Sequence, residues 1–204
     1  MNMIPSRGYD MRHQLIPFFA LLFAAIVSGC APAADSPGPK RILIVRHAEK
    51  PPEEAMKFGL NDKGRERAEA LHKLFEKSDA RTDPFPMPDF LFAASNTKKS
   101  HRSTETIAPL AKRFKMPVNV HFDKDDYPLL AKELLHNSKY AGKTILIVWG
   151  HGTIPELAQQ LGVKDVPKHW KDEVFNRVWQ IDFEDGKVVF QDRPQGLLAG
   201  DGEK

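Results

Sequence analysis

Two short runs constrain the fold of this chain more than anything else in it: Arg41–Lys50, reading RILIVRHAEK, and Thr144–Thr153, reading TILIVWGHGT. In each, a block of apolar, largely β-branched residues (Ile42–Val45, Ile145–Val148) stops abruptly and a histidine follows, His47 or His151. Such blocks suit strands covered on both faces, as in a parallel sheet between layers of helices. In an open sheet of this kind ligands sit at the carboxyl ends of the strands, so Arg46, His47 and Glu49 are expected to project into the crevice. If the two strands are parallel neighbours, ~4.8 Å apart, one phosphate can touch both imidazoles. A neutral imidazole is a nucleophile and a guanidinium beside it is a fixed phosphate clamp, so Arg46-His47 points to phosphoryl transfer through a phosphohistidine.

The segments between these runs read as scaffold. Asn61 is a good N-cap for a helix through Lys77, with Gly64, Ala68, Leu71 and Phe75 at helical spacing. Three prolines in Asp83–Pro88 make an irregular connection before a second apolar strand, Phe90–Ala94, which ends in Ser95. Lys98, Lys99, His101 and Arg102 then precede a helix whose buried face is expected at Thr104, Ile107, Ala108, Ala111 and Phe114. A cationic loop at a helix N-terminus is a ready anion site. Pro117–Val120 is a third short strand, and Asp125 or Asp126 is expected to cap a helix buried through Leu130, Leu134 and Leu135. Thr153-Ile154-Pro155-Glu156 has the spacing of a capping box, which would aim a further helix N-terminus at His151. Asp185-Gly186 between two apolar runs predicts an antiparallel hairpin at the sheet edge.

With 204 residues the chain is long enough for one well-buried globular domain, expected over residues 41–204. A formal charge of +3, from 30 basic against 27 acidic residues, is too balanced to argue for nucleic acid. Residues 1–30 read as an export signal: Arg7, Arg12 and His13 precede Leu15–Val27, an uncharged run of thirteen residues that is short for a membrane span. The run closes on Val27-Ser28-Gly29-Cys30, which resembles a bacterial lipobox, so Cys30, the only cysteine, is the expected lipidation site. Ordinary cleavage after Ala31-Pro32-Ala33 is the competing reading. Residues 31–40, rich in proline, are expected to form a flexible tether. The expected location is the bacterial cell envelope, membrane-anchored on the periplasmic or extracellular side.

RHAEK at 46–50, LNDKGRERAEAL at 60–71, HRSTETIAPLA at 101–111 and WGHGT at 149–153 together resemble the histidine phosphatase superfamily, also called phosphoglycerate mutase-like. The resemblance covers roughly Arg41–Asp192 and implies a three-layer α/β/α sandwich with a mainly parallel sheet. It implies that His47 is the phosphorylated nucleophile, that Arg46, Arg102 and His151 complete the phosphate pocket, and that neither metal nor other cofactor is needed. The implied partner is a small phosphorylated substrate; the sequence does not specify an oligomeric state.

Two departures from the family pattern matter. The family's second arginine falls four residues after the strand-ending serine, where this chain has Lys99; Arg102 fits the helix register better, since Thr106 then occupies the family's helix threonine position. Many members also carry a glutamate that protonates the leaving group, and none lies between Pro117 and Tyr127. Asp123 is the nearest substitute, with Glu53, Glu54 or no general acid as alternatives; a missing acid would favour good leaving groups such as phosphoanhydrides or protein phosphohistidine. Competing with the phosphatase are a phosphomutase of the same fold and a non-catalytic, phosphoglycan-binding lipoprotein.

Overall fold

The computed structural model describes Met1 and residues 38–55, 58–79 and 81–201, with the backbone alone at Glu53. The chain divides into two units, Met1–Ala34 and Asp35–Lys204, and the fold described is that of the second. The expected signal segment, Cys30 and residues 31–37 of the tether lie outside the described residues. Residues 38–40 do not behave as tether: Gly38 O accepts from Gly142 N at 3.0 Å, and Lys40 donates to Lys143 O at 2.9 Å. Among the described residues no helix is long and apolar enough to cross a membrane.

Among the described residues, six strands and four α-helices follow in order: β1 (Arg41–Arg46), α1 (Asp62–Ala70), β2 (Phe90–Ala93), α2 (Arg102–Phe114), β3 (Val118–Asn119), α3 (Tyr127–His136), β4 (Thr144–Trp149), α4 (Ile154–Gln160), β5 (Arg177–Glu184) and β6 (Lys187–Pro194). The strands form one sheet in the order β3-β2-β4-β1-β5-β6. Pairing is parallel from β3 to β1 and antiparallel from β1 through β5 to β6. The edge hairpin turns at Asp185 and Gly186, both at positive φ (49° and 73°), as a two-residue turn demands.

Alternation along β1 explains why its block is unbroken. Ile42 and Ile44 join Ile145, Ile147, Leu130, Leu134 and Leu157 on one face of the sheet. Leu43 and Val45 join Leu146, Val148, Ile107 and Leu110 on the other. Ile42, Leu43, Ile44 and Val45 are all fully buried, and truncating such a side chain to alanine costs about 2–5 kcal/mol.

Several local expectations are corrected. Helix α1 ends at Ala70 and continues as a 3₁₀ turn, Leu71–Phe75. On α2 the buried residues are Ser103, Thr106, Ile107, Leu110 and Ala111; Ala108 is exposed and Thr104 only half-buried, one step round the helix from the predicted stripe. Asp126 occupies the N-cap position of α3 without capping it, because its carboxylate accepts from Asp123 N at 3.0 Å. Asn61 does cap α1, accepting from Gly64 N at 2.8 Å.

Candidate active site

Parallel pairing of β1 with β4 sets Arg46 opposite Trp149, and His47 N donates to Trp149 O at 2.9 Å, so both strands end at the same level. His47 and His151 emerge there with ring centroids 6.4 Å apart, nearly perpendicular. They share a cavity of about 410 Å³ with Ser95, Lys99, Arg102 and Lys124, among others. The sequence-predicted constellation of His47, Arg102 and His151 is thus assembled, and Lys99 joins it rather than competing with Arg102.

His47 is held in a defined state. It is 6 % exposed, and its Nδ1 lies 2.8 Å from its neighbour's carbonyl, Ala48 O. A carbonyl oxygen only accepts, so Nδ1 carries the proton and Nε2 keeps its lone pair. Burial, reinforced by the positive charges of Arg46 and Arg102, pushes the imidazole pKa down to about 3, against a weaker opposing pull from the Ala48 carbonyl. The ring is therefore neutral at ordinary pH. Thr106 fixes the backbone behind it, accepting from Ala48 N at 2.9 Å and donating to Arg102 O at 2.7 Å. One threonine so couples the His47 loop to the first turn of α2.

Arg46 is 1 % exposed and divides its guanidinium between two tasks. Nη1 donates to the carbonyls of Lys171 (3.1 Å), Asp172 (2.6 Å) and Val174 (3.1 Å), and the group stacks 3.9 Å over the Phe175 ring. Nε and Nη2 are buried with no hydrogen-bond partner among the described residues. Burial lowers the Arg46 pKa to about 10, so it stays charged at neutral pH, and its charge depresses the pKa of both histidines. Unpaired buried cationic donors are costly, and an anion is what satisfies them.

His151 sits differently. It begins a 3₁₀ turn, His151–Thr153, is half-buried, and its Nε2 lies 2.8 Å from Asp172 Oδ1, an exposed carboxylate. Burial and Arg46 lower its pKa, while Asp172 raises it.

Three expected site features are corrected. Glu49 does not project into the crevice: its carboxylate makes a two-point contact with Arg67 (2.9 and 2.8 Å), which in turn holds Asp201 (2.7 and 2.8 Å). Asp123 is not on the cavity wall, because its Oδ1 accepts from Asp125 N at 2.8 Å within its own turn. Of the other acid candidates, Glu54 is exposed and the side chain of Glu53 lies outside the described residues. The capping box fails as well: Thr153 Oγ1 donates to Lys124 O (2.9 Å) and accepts from Trp149 Nε1 (3.1 Å), while Glu156 Oε2 is buried with no hydrogen-bond partner among the described residues. Among the described residues, no three of His, Cys, Asp and Glu converge on a possible metal site.

The ionic group Glu49–Arg67–Asp201, the Phe175 stack on Arg46 and the pairing of His151 with Asp172 went unread in the sequence. One signal was present: Arg67 falls on the buried stripe of α1 beside Gly64 and Ala68, and a buried arginine requires carboxylates.

No protein-family profile matches the chain, and no curated protein sequence matches it. Solved structures do. The chain is similar to a phosphoglycerate mutase from Bacillus anthracis str. Sterne, at 15% identity and a TM-score of 0.50, over 78% of this chain and 94% of that one. It is also similar to a mycobacterial glucosyl-3-phosphoglycerate phosphatase (13% identity, TM-score 0.48, 76% and 98% covered). A third similar structure is the alpha-ribazole phosphatase from Shigella flexneri (15%, 0.46, 74% and 94%). What this chain shares at such identities is the fold, and its mixed six-stranded sheet with helices on both faces is the phosphoglycerate mutase-like α/β arrangement.

Proposed function

We propose that this protein is a phosphatase that takes a phosphoryl group onto His47 Nε2 and releases it to water. The observation that carries the reading is the state of the β1 end: a neutral imidazole with Nδ1 committed to Ala48 O, beside a buried arginine with two unpaired donors. The Nε2 lone pair attacks phosphorus in line, while Arg46, Arg102 and His151 stabilise the equatorial oxygens. Water then resolves the phosphoenzyme. The likeness in fold to a phosphoglycerate mutase agrees with phosphoryl chemistry in general.

The test is to quench the enzyme with ³²P-labelled substrate and look for an acid-labile, alkali-stable phosphoryl group on His47. Its absence from wild-type protein that still releases phosphate would overturn the mechanism; transfer of the label to a second sugar or acid phosphate would make the protein a mutase. The same proposal places the enzyme at a membrane through lipid on Cys30, a reading supported by the Val27–Cys30 motif after Leu15–Val27. Wild-type protein that stays soluble after export, with Cys30→Ser fractionating identically, would remove the anchor from the proposal.

A further inference from the structure

The cavity beside His47 carries more positive charge than one phosphoryl group requires. Three lining side chains, Lys99, Arg102 and Lys124, are cationic, and none among the described residues is a carboxylate. With Arg102 assigned to the transferred phosphoryl, two lysines from separate segments remain. At about 410 Å³ the space falls within the ~300–1,000 Å³ of sites that hold drug-sized ligands, so one phosphate does not fill it.

The chain fixes the backbone that carries both lysines. Lys99 belongs to a turn closed by the Thr97–Ser100 bridge; its N donates to Thr97 Oγ1 at 3.2 Å, and Thr104 Oγ1 ties Asn96 to α2 at 2.6 Å. The backbone of Lys124 is fastened to the end of β4 through Thr153, whose hydroxyl bridges Trp149 Nε1 and Lys124 O. That bridge is why Thr153 does not cap α4. Lys124 Nζ also lies 2.7 Å from both carboxylate oxygens of Asp125, an exposed pair of the kind that contributes little and yields to a stronger anion.

We propose that the leaving group is itself a phosphate held by Lys99 and Lys124, so that the bond cut is a phosphoanhydride. This rests on the phosphatase reading above. An alkoxide leaving group needs a proton from a positioned acid, and no carboxylic acid lines the cavity among the described residues; a departing phosphate is a stable anion without one. As the P–N bond forms at His47 Nε2, the bridging P–O bond breaks and its electron pair leaves on the second phosphate, between the two ammonium groups. Water then adds to phosphorus, the P–N electrons return to Nε2, and the proton from water leaves with the product phosphate.

The experiment compares methylenediphosphonate, which cannot be cleaved, with methylphosphonate by calorimetry. In parallel it compares kcat/KM for inorganic pyrophosphate with that for p-nitrophenyl phosphate. Wild type should bind the diphosphonate at least about tenfold tighter, the scale of one to two charge-assisted contacts. In a Lys99→Met/Lys124→Met double variant the binding preference and the pyrophosphate-to-nitrophenyl ratio should both fall about tenfold, and Lys99→Arg/Lys124→Arg should restore them. Equal affinities in wild type, or a ratio unmoved by the double variant, would overturn the inference while leaving the phosphatase reading intact. Failure of any substrate to label His47 would overturn both.

Discussion

The ends of β1 and β4 are built from the same pattern, a buried strand followed by a histidine, yet they finish as opposite environments. His47 is almost fully buried, locked to a backbone carbonyl and braced by Thr106. His151 is half-buried on a short turn, and its partner Asp172 is an exposed side chain. One site fixes the proton on a chosen nitrogen; the other leaves protonation open to whatever lies between Arg46 and Asp172. A nucleophile must be neutral before the substrate arrives, whereas a phosphate-binding histidine gains by becoming charged when an anion does. On the proposed mechanism, burial together with the neighbouring charges separates the two roles.

The sharpest way to break this contrast is to remove each ring in turn. His47→Asn should lower kcat/KM by at least ~10⁴-fold and abolish labelling, whereas His151→Asn should cost only ~10²–10³-fold, the scale of one lost transition-state donor, and still label slowly. Equal losses, with labelling gone from both, would mean that the two histidines act as one unit.

The rigidity of the β1 end depends on close backbone approach. A Cβ at Gly64 would fall 2.2 Å from Glu49 O, two residues beyond His47, with no flexible atom to move aside. Gly64→Ala should therefore destabilise the protein by about 2–4 kcal/mol, read as a lowered denaturation midpoint, although alanine favours helices. A variant as stable as wild type would show that α1 can shift without disturbing the loop.

Acid should find the same weak point. With its folded pKa depressed to about 3, His47 binds fewer protons folded than unfolded. Its contribution to stability is complete above the unfolded value of ~6.5 and is lost as pH falls toward 3, by a few kcal/mol at most. Urea titrations should show this slope in wild type and a flatter one in His47→Asn; identical slopes would place the acid sensitivity elsewhere.

The smallest effect belongs to the β4 end. Asp172 raises the His151 pKa against burial and Arg46, so Asp172→Asn should move it further below its ordinary value, followed by NMR. Turnover should fall only severalfold, since an exposed partner contributes little. A tenfold or larger loss with an unmoved titration would give Asp172 a role in contact with substrate.

Sequence reasoning succeeded where one local rule acts alone. Unbroken apolar blocks announced buried strands, Asp185-Gly186 announced the hairpin, and Asn61 announced its cap. The convergence of His47 with His151 followed from parallel pairing. It failed where a side chain had a choice of partners. Thr153 and Asp126 both stand at N-cap positions but satisfy distant or turn groups instead, and Glu49 turns toward Arg67 rather than the crevice. Such choices depend on which elements the fold brings alongside, and no spacing within one segment records that. The stripe on α2 missed by one step in part because Thr106 is buried for its hydrogen bonds to Ala48 N and Arg102 O, not for hydrophobicity.

The bond between Arg67 and Asp201 has a consequence in time. The two residues lie 134 positions apart, and Arg41, at the start of the first strand, pairs with Asp182, 141 positions further on. A chain emerging from the ribosome in sequence order thus makes His47 early but cannot complete the ionic group behind Glu49 until Asp201 has emerged. High contact order of this kind slows folding, because loop closure must come before the contacts that reward it. The setting of His47 is therefore completed late, and a chain stalled short of Asp201 would leave Arg67 on Glu49 without its second carboxylate.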